Sequence, residues 1–109
     1  MADKTALAAA FKSGHTLSSP NLSLKYIDLS RSSTEQKNQY CFVVSAKVSR
    51  LAVVRNILKR RARHIIRKNQ SRIRTSFVCL FLFKPGAAGL SFMNLEKEIV
   101  NLLSRARIV

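Results

Sequence analysis

Seven consecutive residues, Phe77–Phe83, read FVCLFLF and contain no polar side chain. The run is too short for most helices, and Lys84, Pro85 and Gly86 stop it. It predicts a strand covered on both faces or on one wide face. The rest of the chain supplies partners. Ser18–Asn21 is a turn signal, after which Leu22, Leu24 and Tyr26 alternate with Ser23, Lys25 and Ile27 as in a strand. Tyr40–Ser45, aromatic and β-branched, predicts another, with the polar Ser30–Gln39 as a loop between them.

Three segments predict helices. In Asp3–Lys12, Asp3 is placed to cap, Ala6, Leu7, Ala10 and Phe11 share a side, and Gly14 is placed to end it. In Lys47–Lys68, Leu51, Val54, Leu58, Ala62 and Ile65 step by three or four, with Ser49 as the expected N-cap and fraying near Asn69–Ser71. In the last, Ser91 is the expected cap, and Phe92, Leu95, Ile99, Leu102 and Leu103 form one face. Arg105 and Arg107 suit its C-terminal end, where the helix dipole favours cations. The order is α-β-β-α-β-α, with room for one further strand. The fold class is α+β, with helices packed on a sheet.

The 109 residues suit a single domain, 1–109. Lys and Arg number 20 against 5 Asp and Glu, a net charge of +15, while 47% of residues are hydrophobic. That apolar content excludes a disordered basic tail, and the charge points to a polyanion, nucleic acid before an anionic membrane. No apolar run approaches the ~20 residues of a spanning helix, and the N-terminus lacks the pattern of a secretory signal. The expectation is a cytoplasmic protein with no membrane partner. Cys41 and Cys79 lie far apart in apolar runs and read as free thiols of a reducing compartment. No CxxC or CxxH pair occurs, so no structural zinc site is expected, and no metal ligand is assigned on the protein.

Charge is distributed unevenly. Between Gln36 and Leu95 there is no acidic residue but 13 Lys or Arg, 11 of them within Lys47–Arg74. A merely solvated helix face mixes signs to gain i,i+4 pairs; Lys59, Arg60, Arg61 and Arg63 repel one another, and bound phosphates supply the missing counter-charge. Asn56, Lys59, Arg60, Arg63 and Arg67 share a side of the helix, and Lys47, Arg50, Arg55 and Arg61 complete the expected RNA-binding set. Arg55, Arg60 and Arg63 are suited to fork phosphate oxygens or stack on a base, whereas Lys47 and Lys59 act as point charges. Asn56 is suited to a base edge, a 2′-hydroxyl or a brace to neighbouring backbone. Phe11 beside Lys12 and Tyr26 beside Lys25 read either as a single-strand stacking platform or as core.

Catalytic groups are scarce. His15 and His64 have no spacing that ties them into an acid–base pair, and the five acids are scattered, which disfavours a two-metal site built by protein carboxylates. No catalytic residue is expected on the protein.

The segment Ser45-Ala46-Lys47-Val48-Ser49-Arg50-Leu51-Ala52-Val53-Val54-Arg55-Asn56-Ile57-Leu58-Lys59-Arg60-Arg61-Ala62-Arg63 resembles the signature of the bacterial ribonuclease P protein component, roughly S-K-K-x-x-x-x-A-V-x-R-N-R-x-K-R-x-x-R. Phe11-Lys12-x-Gly14 and Lys84-Pro85 are similar to that family's first helix end and later strand end. Ile57 stands where the family has Arg, Ala46 where it has a second lysine, and Leu7 where its first helix has an aromatic. The resemblance implies an α-β-β-β-α-β-α sandwich, similar to a domain of a ribosomal protein (S5 domain 2), with a left-handed β-α-β crossover. It also implies a protein subunit of a ribonucleoprotein endoribonuclease. The RNA subunit performs Mg²⁺-dependent removal of the 5′ leader from precursor tRNA, so the expected partners are the catalytic RNA and precursor tRNA, with no obligate protein partner. The basic helix is implied to face the catalytic RNA. A cleft between the first helix and the sheet is implied to hold the leader, with Phe11, Lys12, Lys25 or Tyr26, and Lys84 beside it. The competing readings are a structural, ribosomal-type RNA-binding protein with no role in cleavage, a protein-only nuclease using His15 and His64, and a membrane-active basic helix.

Overall fold

The structure, a computed structural model, describes residues 14–28, 38–73 and 77–109. The expected first helix, with Phe11 and Lys12, lies outside the described residues. Four strands form one sheet: β1 His15–Ser18, β2 Leu22–Asp28, β3 Gln39–Val43 and β4 Phe77–Phe83. Two helices follow the first three strands and the last, α1 Ala52–Lys68 and α2 Phe92–Arg105. Short 3₁₀ turns, Gln70–Arg72 and Pro85–Gly89, close α1 and follow β4.

The strand order is β1-β2-β4-β3, with β4 antiparallel to β2 and parallel to β3. β4 is thus an interior strand, and six of its seven residues are buried. Phe77, Cys79, Phe81 and Phe83 join Leu22 and Leu24 against α1 and α2, while Val78 and Leu80, at 0% and 1% exposure, are covered on the opposite face. The apolar run therefore marks a strand covered on both sides. Phe42 stacks on Phe81 with ring centroids 5.5 Å apart, tying β3 to the centre of this core.

Helical spacing sets the other half of the core. Leu58, Ala62, Ile65 and Ile66 of α1 and Leu95, Ile99, Leu102 and Leu103 of α2 are buried at i, i+4, i+7 and i+8 positions. Ser91 caps α2 as expected, its hydroxyl accepting the Asn94 N–H at 3.2 Å. The further strand is β1, an antiparallel partner of β2 across the turn at Ser19–Asn21.

Two expectations need correcting. The helix expected from Lys47 begins five residues later, because Val48 is buried in a turn closed by its own N–H to Ser45 C=O at 3.0 Å. Ser49 is not the N-cap: Leu51 holds that position without a side-chain cap, and the Ser49 hydroxyl instead accepts the Leu51 N–H at 3.2 Å.

Candidate nucleic-acid interface

With Leu58, Ala62, Ile65 and Ile66 fixing the inward side of α1, 100° per residue turns Asn56, Arg60, Arg63 and Arg67 outward. All four are exposed, and the stripe runs about 16 Å along the helix, enough to meet several phosphates. Lys59 and Arg61 flank it, half-buried. Arg72, exposed in the 3₁₀ turn beyond α1, extends the same end; helical spacing does not single it out, although it belongs to the acid-free run.

The two glutamates of α2, Glu96 and Glu98, are held elsewhere. Glu96 pairs with Lys68 at 3.2 Å and accepts the Asn69 side-chain amide at 3.4 Å. Glu98 accepts the Ser19 hydroxyl at 2.7 Å and the Asn21 side-chain amide at 2.6 Å. Arg60, Arg63 and Arg67 have no carboxylate partner among the described residues. Among the described residues, nothing neutralises these three charges.

Not every cation of the expected set behaves alike. Lys47 and Arg50 are exposed on the loop before α1. Arg55, half-buried, turns back on that loop, its Nη1 donating to Ser49 C=O at 3.0 Å and Arg50 C=O at 3.1 Å. Lys84 reaches across the sheet end and donates to Ser18 Oγ at 2.6 Å and Ser19 C=O at 2.7 Å. Arg105 donates to Ser18 C=O at 2.8 Å, so the β1–β2 turn is pinned from two sides.

Lys25 and Tyr26 part company. Strand alternation puts Tyr26 with Leu22 and Leu24 on the helix side, where it packs against the core and lies against His15 with centroids 5.3 Å apart. Lys25 points to the opposite face, beside Thr16, Leu80 and Cys41 in register. The histidines are not brought together: His15 is on β1 against Tyr26, and His64 on α1 lies against Phe92 at 5.6 Å.

Reactive and metal-binding groups are sparse here. Burial pushes the Cys79 thiol up to about 12 and the Tyr40 hydroxyl up to about 12, the latter against the opposing effect of the Asn38 hydrogen bond. Neither is set to act as a nucleophile or base. No group of three or more His, Cys, Asp or Glu placed to hold a metal occurs among the described residues. No helix among them is long and apolar enough to cross a membrane.

Comparison with known proteins is consistent along the whole chain. The sequence model of the family described as Ribonuclease P matches residues 1–107. A ribonuclease P protein component of Synechococcus elongatus is 31% identical over 102 residues, covering 93% of this chain and 84% of the relative. That of Microcystis aeruginosa is 29% identical over 101 residues, with the same coverage. Among solved structures, the Staphylococcus aureus RNase P protein superposes with a TM-score of 0.85 at 17% identity, over 99% of this chain and 94% of that one. The RNase P protein from Thermotoga maritima gives 0.78 at 23% identity, over 91% and 89%.

Proposed function

Since the chain belongs to the ribonuclease P protein family, whose holoenzyme is an endoribonuclease, we propose that it binds the catalytic RNA through the outward stripe of α1 and the 5′ leader of precursor tRNA on the opposite face of the sheet. The observation that carries this reading is the exposed Asn56, Arg60, Arg63 and Arg67 stripe with no carboxylate partner among the described residues. An RNA catalyst folds against its own phosphate repulsion, and a protein of charge +15 relieves part of it. The effect is a lower Mg²⁺ requirement for the RNA.

Leader recognition is proposed for the part of that opposite face around the half-buried Lys25, outside the covered Val78 and Leu80, with Phe11 and Lys12 contributed from the N-terminal segment. Contacts there add affinity for precursor over mature tRNA, which has no leader. Lys84 supports that face by holding the β1–β2 turn. Catalysis is proposed to reside in the RNA, with Mg²⁺ bound there, because the described residues offer neither a paired acid and base nor a carboxylate cage.

Binding of labelled precursor and mature tRNA to the protein–RNA complex tests the reading. Tighter binding of precursor, lost when the protein is omitted, supports leader recognition. Equal binding of both, with tight protein–RNA association, favours a structural RNA-binding protein of the ribosomal type.

A further inference from the structure

Within the basic motif, Arg55 turns back on its own loop. Its Nη1 donates one N–H to Ser49 C=O at 3.0 Å and the other to Arg50 C=O at 3.1 Å, reaching back six and five residues over the start of α1. That start has little else to hold it. Leu51 provides no side-chain cap, the first turn contains no acidic residue, and the Leu51 N–H goes only as far as Ser49 Oγ at 3.2 Å. Upstream, Val48 is buried and closes a turn onto Ser45 C=O. The loop is thus anchored at Val48, and its outward half is fixed by the guanidinium. Lys47 and Arg50, both exposed, are carried on this loop.

We propose that Arg55 is a positioning residue. It fixes the loop so that Lys47 and Arg50 extend the cationic stripe beyond the end of α1, and it does not itself take a phosphate. The planar fork suits such a brace, since two N–H groups on one nitrogen meet two successive carbonyls, while the positive charge satisfies carbonyls that have no helical partner. The proposal rests on the reading of the basic face as RNA-binding and adds a division of labour within it.

The test is a cycle of variants, each bound to a bacterial ribonuclease P RNA at several salt concentrations: Arg55→Met, the pair Lys47→Ala with Arg50→Ala, and all three together. Amide hydrogen exchange of Val48 and Leu51 is measured in the free proteins, and thermal melting shows that each is folded. Arg55→Met is expected to weaken binding about tenfold and reduce the salt slope by about two units, the share of two phosphate contacts. In the triple variant it adds nothing to the loss already caused by the pair. Exchange at Val48 and Leu51 rises about tenfold or more in Arg55→Met.

A loss from Arg55→Met that multiplies with that of the pair, a slope change of about one unit and unchanged exchange would make Arg55 a direct phosphate ligand and overturn the proposal. A pair variant that binds as wild type overturns it as well, since nothing would need positioning. If the wild-type protein fails to bind the RNA, the functional reading falls; faster exchange in Arg55→Met then upholds the brace, and unchanged exchange removes it.

Discussion

Asn21 and Glu98 lie 77 positions apart in sequence and are joined by a 2.6 Å hydrogen bond from the Asn21 side-chain amide to the carboxylate. The same carboxylate accepts the Ser19 hydroxyl and the Asn21 backbone N–H, so the β1–β2 turn is clamped to α2. Glu98→Ala leaves these donors without their acceptor. It is expected to cost about 1–3 kcal/mol and lower the melting temperature by several degrees. Differential scanning calorimetry checks this; a melting temperature unchanged from wild type would mean that water replaces the carboxylate without loss.

The stripe on α1 makes a prediction about salt. Arg60→Ala should weaken RNA binding and reduce the slope of log K against log salt by about one unit. Folding stability should change by less than about 0.5 kcal/mol, because Arg60 is exposed and lacks a carboxylate partner among the described residues. An unchanged slope removes Arg60 from the phosphate contacts.

Lys25 and Tyr26 should separate recognition from stability. Lys25→Ala is expected to reduce affinity for precursor tRNA more than for mature tRNA, with a smaller loss of Tm than Tyr26→Ala. Tyr26→Ala removes a ring packed on the core and on His15, and should lower Tm by several degrees. Phe11→Ala, if its ring stacks on a leader base, should cost about 1–3 kcal/mol of precursor affinity alone. Equal losses for both tRNAs would place Phe11 in the core.

Alkaline pH should destabilise the fold. Burial raises the Cys79 thiol from 9.0 to about 12 and the Tyr40 hydroxyl from 10.0 to about 12. Above about pH 9 the native state therefore binds more protons than the unfolded chain, and stability falls as pH rises toward 12. Below the unfolded values this contribution is fully present. Urea midpoints at about pH 8 and about pH 10.5 should show the drop, and Cys79→Ala with Tyr40→Phe should reduce it. The same drop in the double variant would assign it to other groups.

The sheet and both described helices were legible because their patterns are strong. FVCLFLF has no polar residue to place at a surface, and the buried faces of α1 and α2 repeat at helical spacing. β1 leaves little trace in the sequence because His15–Ser18 is short, lies at the sheet edge and is largely exposed, so burial imposes little periodicity. The start of α1 is not marked in the sequence, because Leu51 at its N-cap has no capping side chain and the turn at Ser45–Val48 is closed by a backbone bond. At the site, spacing aligns Asn56, Arg60, Arg63 and Arg67, but it also counts Lys59, which lies half-buried at the flank of the stripe. It could not show that Arg55 reaches back five and six residues or that Lys84 reaches Ser18, since long side chains choose among several acceptors that only the folded backbone defines.

The most direct measurement is cleavage of precursor tRNA by the pure protein and a bacterial ribonuclease P RNA at limiting Mg²⁺. The expected result is cleavage at the mature 5′ end when both are present, and none by the protein alone. No stimulation of the RNA, despite tight binding to it, would contradict a role in cleavage; cleavage by the protein alone, free of contaminating nuclease and lost in His64→Ala, would contradict the assignment of catalysis to RNA.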